Sequence, residues 1–137
     1  MAKVFFDTNI LLYSVDSSDR AKRTRCRSLM KHAEAEGIGV ISTQVMQEFY
    51  SIATRKFGME PLVAKDALES FEVYEIVVIT PSIIYSAADH QVLSRLSFWD
   101  ALIVAAAEIS QSETILTEDL NAGQKIRGMR IENPFKS

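Results

Sequence analysis

Four carboxylates in this sequence occupy positions from which they could act together. Asp7, Glu48, Asp100 and Asp119 are each predicted near the end of a strand or the start of a helix. At one edge of a sheet, four ionised and unpaired carboxylates would repel one another strongly. A divalent cation removes that repulsion, and oxygen ligands without a Cys or His cluster favour Mg²⁺ or Mn²⁺ over zinc. A metal in such a site characteristically activates water to attack a phosphate group and neutralises the phosphoryl oxygens.

Each of the first two acids also has a structural explanation. Asp7 follows an apolar run and precedes Thr8 and Asn9, so it could simply cap a short helix. The alternative is a carboxylate held at a strand end, with the Asn9 amide beside it. Glu48 lies on the apolar stripe of its predicted helix, where a long side chain could still reach water. Its predicted direction is along that stripe and away from the opposite, solvated face, so both explanations stay open for Glu48 taken alone.

Asp100 and Asp119 also have both a structural and a functional explanation. Asp100 belongs to a Ser-x-x-Asp pattern that is typical of a helix start, yet it shares a helical face with Val104. Asp119 follows a strand and could form a turn, while Glu118 points the other way if the backbone is extended. The combination of four acids, rather than any one of them, favours a metal site.

The elements that must position these acids alternate between strands and helices. Strands are predicted at residues 3–6, 39–41, 74–79 (fully buried), 114–117 and 130–131 (a last edge strand). Helices are predicted at residues 20–36, from Ser42 or Thr43 to about 57, and at 61–71, 81–96 and 97–109. This order implies a mostly parallel sheet with helices on both faces. Ligands of such sheets bind beyond the carboxyl ends of the strands, and the four acids are predicted just after these strands or on the helices that follow.

Composition restricts the class of protein. The 137 residues include 47% hydrophobic and 24% charged residues, as in an ordinary globular protein. The net charge of −3 argues against binding nucleic acid by bulk positive charge. Cys26 is the only cysteine, and no segment has the apolar length to span a bilayer, so we expect a cytoplasmic protein. His32 and His90 lack ligand spacing, and Phe98 and Trp99 are predicted to be packing residues rather than base-stacking platforms.

Four segments together resemble a known family. "VFFDTNILLYSVD", "ISTQVMQEFY", "SFWDALIVAAA" and "ILTEDLNAG" are similar to the motifs of PIN-domain ribonucleases, in particular the VapC-type toxins of bacterial toxin–antitoxin pairs. The resemblance covers nearly the whole chain in the family's order. It implies a three-layer α/β/α PIN-like domain with a mostly parallel central sheet, and we expect a single domain over residues 1–137.

The resemblance also implies an activity and its residues. Asp7, Glu48, Asp100 and Asp119 match the acidic quartet that holds one or two Mg²⁺ or Mn²⁺ ions, with Asn9 and Thr117 as supporting residues. The implied reaction is metal-assisted hydrolysis of an RNA phosphodiester by water, without the 2′-hydroxyl as nucleophile. The substrate class is structured RNA such as tRNA or rRNA. The implied partners are a cognate antitoxin and a second copy in a homodimer.

Basic residues provide a further candidate surface. The segment from residue 20 to 31 contains no acid and carries six bases, namely Arg20, Lys22, Arg23, Arg25, Arg27 and Lys31. They form either a solvated helix face or a track that contacts RNA phosphates. Without the four site acids, 14 acids remain against 15 bases, so the net charge does not exclude nucleic acid.

The same residues exclude two other classes of protein. A haloacid-dehalogenase-type phosphohydrolase needs a second Asp where Asn9 stands, and a receiver domain needs an Asp after a middle strand, where Thr80 and Pro81 follow. Two alternatives stay open. One is a PIN-fold module that sequesters RNA or protein, and the other is a housekeeping RNA-processing nuclease.

Overall fold

The computed structural model describes residues 2–136 and contains one sheet within that range. Its strand order is β3-β2-β1-β4-β6-β5, and every pairing is parallel except the antiparallel pair β5–β6. The strands are β1 (Lys3–Phe6), β2 (Gly39–Ser42), β3 (Glu75–Val77), β4 (Ser112–Leu116), β5 (Lys125–Ile126) and β6 (Met129–Glu132). The predicted three-layer α/β/α architecture with a mostly parallel sheet is confirmed.

Six helices of the described range connect and cover these strands. They are α1 (Thr8–Tyr13), α2 (Arg20–Glu36), α3 (Thr43–Arg55), α4 (Pro61–Ser70), α5 (Pro81–Ser94) and α6 (Phe98–Ile109), with a 3₁₀ turn at Phe71–Val73. Their ends follow local chemistry. Gly37 ends α2 in the left-handed conformation at φ 66°, which glycine adopts without a Cβ penalty. None of these helices has the length and apolar character that a membrane crossing requires.

The parallel register places the carboxyl ends of three strands side by side. Phe6 of β1 pairs with Leu116 of β4, and Phe5 pairs with Val40 of β2. The residues that follow these strands therefore meet at one edge of the sheet. Helix α6 is packed inside the molecule, since all seven residues from 101 to 107 are buried. Its apolar surroundings fix the position of its first turn, which carries Asp100.

Two strand predictions are wrong in detail. Residues 74–79 do not form a fully buried strand, because β3 is an outer strand whose other edge has no partner in the described chain, and Val78 is 62% exposed. Residues 130–131 belong to β6, which is not an edge strand, because β5 pairs outside it. The Arg127-Gly128 turn between β5 and β6 has positive φ at both residues, as tight hairpins require. An apolar run does not reveal its place in a sheet.

Candidate active site

The four predicted acids line one small cavity at the carboxyl edge of the sheet. Its volume is about 190 Å³, and Asp7, Glu48, Asp100 and Asp119 all contribute to its wall, together with Asn9. These acids come from four separate parts of the chain, and only the parallel register and the packing of α3 and α6 bring them together. The predicted juxtaposition is therefore present in the structure.

Asp7 is the most buried member of the set, with 5% of its surface exposed. It caps α1, as one of the two explanations predicted, and its Oδ1 accepts a hydrogen bond from the Thr8 backbone N–H at 2.7 Å. Its Oδ2 accepts a second from the Thr117 hydroxyl at 2.7 Å. Burial raises the pKa of Asp7 from 3.8 to about 7, and the charges of Asp119 and Glu48 add to that rise. Capping and membership of the acidic cavity coexist in this residue.

Glu48 is half-buried on α3 and faces α1, in agreement with its predicted direction away from the solvated face. Its Oε1 accepts a hydrogen bond from the Thr8 hydroxyl at 2.6 Å. Thr8 therefore holds two carboxylates, donating from its backbone to Asp7 and from its side chain to Glu48. Sequence reasoning missed this role, although a hydroxyl directly after the first acid was the available signal.

Asp119 is held by the two predicted supporting residues. Its Oδ2 accepts a hydrogen bond from Asn9 Nδ2 at 3.0 Å, and its backbone N–H donates to the Thr117 hydroxyl at 3.0 Å. Thr117 has no exposed surface, so its hydroxyl is fixed between Asp7 and the Asp119 backbone. Glu118, by contrast, pairs with Lys22 and Tyr13 and does not line the cavity, as expected from its opposite direction.

Asp100 and Trp99 enter the cavity wall from the first turn of α6. Ser97 caps this helix, since its hydroxyl accepts a hydrogen bond from the Asp100 backbone N–H at 3.1 Å. Trp99 was predicted to be a packing residue, and that prediction is wrong because 62% of its surface is exposed. Phe98, in the same turn, does pack against the hydrophobic core, as predicted.

Gln44 is a buried member of the wall that sequence reasoning also missed. It lies one helical turn before Glu48, and this i, i+4 spacing was the available signal. Its Nε2 donates a hydrogen bond to the Trp99 carbonyl at 3.1 Å. Its Oε1 has no hydrogen-bond partner among residues 2–136 although it is buried. A buried acceptor without a protein donor is free to accept a hydrogen bond from water or to coordinate a cation.

Comparison with models of known protein families identifies the family of this chain. The family model described as the PIN domain matches residues 4–125, which is most of the chain and includes all four acids of the cavity. The chain belongs to the PIN domain family. Among curated proteins, none matches this chain in sequence.

Solved structures with the same fold include toxins of toxin–antitoxin pairs. A toxin–antitoxin complex from Klebsiella pneumoniae has a chain with 21% identity and a TM-score of 0.73, and the match covers 98% of this PIN domain chain and 100% of the other. A DNA-bound VapBC complex from Salmonella typhimurium matches with 18% identity, coverage of 98% and 99%, and a TM-score of 0.71. A VapC toxin of Mycobacterium tuberculosis that cleaves the sarcin–ricin loop matches with 18% identity, coverage of 82% and 87%, and a TM-score of 0.64.

The wall of this PIN domain cavity has the donor chemistry of a divalent cation site. Its ionisable donors are carboxylates alone, and neither His32 nor His90 lines it. Within residues 2–136, no three acidic, His or Cys side chains are gathered closely enough to form a metal site as they stand. The carboxylates are instead held by neutral donors such as Thr8 and Asn9. The carboxylate donors, the like charges around Asp7 and the orphaned Gln44 oxygen are the chemistry that a divalent cation would need, and Asp7, Glu48, Asp100 and Asp119 are the residues that would hold it.

The predicted basic contacts of this PIN domain have separate surroundings. Lys22 is paired with Glu118, and Arg27 Nε donates to the Ser14 carbonyl at 2.7 Å, while Arg20 and Arg23 lie along the same helix. Arg25, on the same helix, lies in the wall of a cavity of about 540 Å³. That wall also contains three more bases, namely Lys125, Arg130 and Lys136, and one acid, Glu132, which pairs with Arg130 at 3.5 Å. The loop after Asp119 reaches this cavity at Ala122 and Gly123. The basic surface therefore includes Lys125, Arg130 and Lys136 as well as the residues of α2.

Replacing Thr117 with Val should lower the free energy of unfolding by about 1–3 kcal/mol at pH 8, because Asp7 Oδ2 then loses a donor while it stays buried. The loss should be smaller at pH 5. The hydrogen bond from Thr117 lowers the pKa of Asp7 and therefore favours the charged form, which is less populated below pH 7. Urea unfolding without divalent cations at both pH values measures the effect.

Thr114→Val is the matched control for this substitution. Thr114 is also buried and lies in β4, but its hydroxyl accepts only a long bond of 3.4 Å from Arg130. We expect a change well below that of Thr117→Val. Equal losses for the two variants at both pH values would contradict the role assigned to the Thr117 hydroxyl.

Proposed function

We propose that this protein is a metal-dependent endoribonuclease, acting in the cytoplasm as the toxin of a toxin–antitoxin pair. One observation carries the proposal, namely that four carboxylates from distant parts of a PIN domain line the same cavity. The similar solved structures support the toxin assignment, since two of them are toxin–antitoxin or VapBC complexes and one is a toxin that cleaves the sarcin–ricin loop. We also propose that the protein forms a homodimer and binds a cognate antitoxin.

The proposed site residues are Asp7, Glu48, Asp100 and Asp119, which would hold one or two Mg²⁺ or Mn²⁺ ions. When bound, the metal neutralises phosphoryl oxygens and lowers the pKa of water. Three neutral side chains set the orientation of this donor set. Thr8 holds Glu48, Asn9 holds Asp119, and Thr117 holds Asp7.

The proposed reaction is hydrolysis of an RNA phosphodiester. Water adds its oxygen to phosphorus, the bond from phosphorus to one ribose oxygen breaks, and that oxygen leaves with a proton. The 2′-hydroxyl takes no part as nucleophile. A substrate with a single 2′-deoxy nucleotide at the cleaved position should therefore still be cut, and its products should carry no cyclic phosphate.

Positive charge near the cavity supports RNA as the polymer. Arg20, Lys22, Arg23, Arg25 and Arg27 stay proposed phosphate contacts, and Arg25 has the best support because it shares a cavity with Lys125, Arg130 and Lys136. Phosphate contacts of this kind position a nucleic acid without selecting its sequence. RNA affinity should then weaken as the salt concentration rises.

Replacing Asp100 with Asn should abolish cleavage while the protein stays folded, because a neutral amide cannot take the place of a carboxylate metal ligand. The measurement compares the cleavage of total cellular RNA by wild type and variant in Mg²⁺, followed by mapping of the new ends. Glu113→Gln is the control, since Glu113 is exposed on β4 and lies outside the cavity. Cleavage by Asp100→Asn at the wild-type rate would refute the site.

RNA binding and growth inhibition, measured for the same two proteins, address the alternatives. If RNA is bound and growth is inhibited equally by wild type and Asp100→Asn, the protein acts by sequestration. A housekeeping nuclease would cut a defined precursor and would have no antitoxin gene beside its own.

A further inference from the structure

We infer that Trp99 is a stacking platform for an unpaired nucleobase next to the phosphate that enters the carboxylate cavity. The inference rests on the proposed function, and it assigns a substrate-binding role to a residue outside the acidic set. Trp99 and Asp100 are consecutive in the first turn of α6, and both line the cavity with Asp7. Trp99 therefore lies beside the place where a phosphate would bind.

The exposure of this indole is the first argument. Trp99 has 62% of its surface exposed, and among the large exposed apolar side chains of residues 2–136 it is the one that lines the carboxylate cavity. Leu12 and Ile103, the aliphatic members of the wall on α1 and α6, are buried. A large aromatic surface left in water beside a polar cavity favours a ligand that covers it.

The turn that carries the indole is held in place before any ligand arrives. The Trp99 carbonyl accepts a hydrogen bond from Gln44, which is only 5% exposed, and the Trp99 ring packs edge-on against Phe98 with centroids 5.3 Å apart. Ser97 caps the same turn through the Asp100 backbone. A platform fixed in this way loses little conformational entropy when a ring stacks on it.

The size of the cavity indicates which part of a nucleotide meets the indole. At about 190 Å³ it is smaller than the roughly 300–1,000 Å³ of ordinary ligand pockets. A phosphate group suits this volume better than a whole nucleotide, so the adjoining base must lie at the rim. Stacking needs an exposed base face, which a base inside a double helix does not offer. The ligand is therefore an unpaired nucleotide, and stacking tolerates any base.

Trp99 is the only tryptophan of the chain, so its own fluorescence reports the contact. The experiment titrates full-length Asp100→Asn protein with a single-stranded oligoribonucleotide in Mg²⁺ and repeats the titration with an oligonucleotide that has abasic sites and the same number of phosphates. We expect saturable quenching by the base-bearing strand and little by the abasic one. Equal quenching by both strands would overturn the inference, because the signal would then report phosphate binding alone.

Cleavage kinetics provide the second readout. Trp99→Ala should lower kcat/KM on an unpaired substrate by about tenfold or more, as expected from the loss of base stacking, and Trp99→Phe should recover part of it. Ile109→Ala is the matched control, since Ile109 is 64% exposed at the far end of the same helix and outside the cavity. We expect Ile109→Ala to cleave like the wild type.

The outcomes separate this inference from the proposed function. If wild-type protein cuts RNA and Trp99→Ala cuts it equally well, the inference is wrong and the nuclease assignment stands. If wild-type protein cuts no RNA while base-dependent quenching persists, the nuclease assignment is wrong and the platform stands. A change in oligomeric state or antitoxin binding in Trp99→Ala, with kcat/KM unchanged, would assign the indole to a protein interface instead.

Discussion

Replacing Asp7 with Asn should reduce RNA cleavage by about 1000-fold, equivalent to about 4 kcal/mol of activation free energy. The physical reason is the position of this carboxylate. It is the most buried of the four acids in the cavity wall, and Thr8 and Thr117 fix both of its oxygens. An amide in the same place removes a formal negative charge from the donor set, so both metal affinity and orientation are lost.

The loss of cleavage should not be accompanied by a loss of stability. The folded protein raises the pKa of Asp7 from 3.8 to about 7, because burial penalises the charged form. The metal-free native state therefore binds more protons than the unfolded state between these values, and its free energy of unfolding falls as the pH rises from about 4 to 7. Above pH 7, the buried charge of Asp7 lowers the free energy of unfolding by its full amount. The Asp7→Asn variant has no such charge, so this loss of stability is absent. The variant should be at least as stable as wild type at pH 8, with a smaller difference at pH 5.

Thermal unfolding in chelator at pH 5 and pH 8, together with single-turnover cleavage rates, tests both statements. Asp66→Asn serves as the control, because Asp66 is exposed on α4 and lies outside the cavity. A folded Asp7→Asn variant that cleaves RNA within a factor of ten of wild type would exclude Asp7 from the reaction.

Removing divalent cations should bring cleavage to the background rate, and Mg²⁺ or Mn²⁺ should restore it. Carboxylates are the ionisable donors of this cavity, and hard oxygen ligands bind these ions in preference to soft metals. Binding should also stabilise the fold by about 2.7 kcal/mol when the free ion is at 100 times its dissociation constant. Cleavage assays and thermal unfolding with and without the ion measure the two effects.

The stabilisation is the more specific of these readouts. In wild type, the side chains of Asp7, Glu48 and Asp119 are held by Thr117, Thr8 and Asn9, and a cation must compete with these bonds. We expect the ion to give no stabilisation of the double variant Asp7→Asn, Asp100→Asn. Activity that persists after thorough chelation would rule out the metal mechanism, and equal stabilisation of wild type and double variant would place the ion elsewhere.

Local patterns were sufficient to predict most elements of the fold. The apolar run before Asp7 formed β1, and Gly37 ended α2 at the predicted residue, because strand and helix ends depend on nearby side chains and on glycine's freedom at positive φ. Apolar periodicity also gave the direction of Glu48, since residues three and four apart share one face of a helix. Parallel strands end at the same edge of a sheet, and this rule predicted that the four acids lie together.

Sequence alone determined which acids this protein has and which elements carry them, because capping, periodicity and turn chemistry act over a few residues. Only the tertiary structure decided how those acids are held and what stands beside them. Thr8 reaches Glu48 across 40 positions, Gln44 reaches the Trp99 carbonyl across 55, and Thr117 reaches Asp7 across 110. Such contacts arise from strand order and helix packing, which no local pattern encodes. For the same reason the sequence predicted a packed Trp99, whereas the fold leaves it exposed beside the acids.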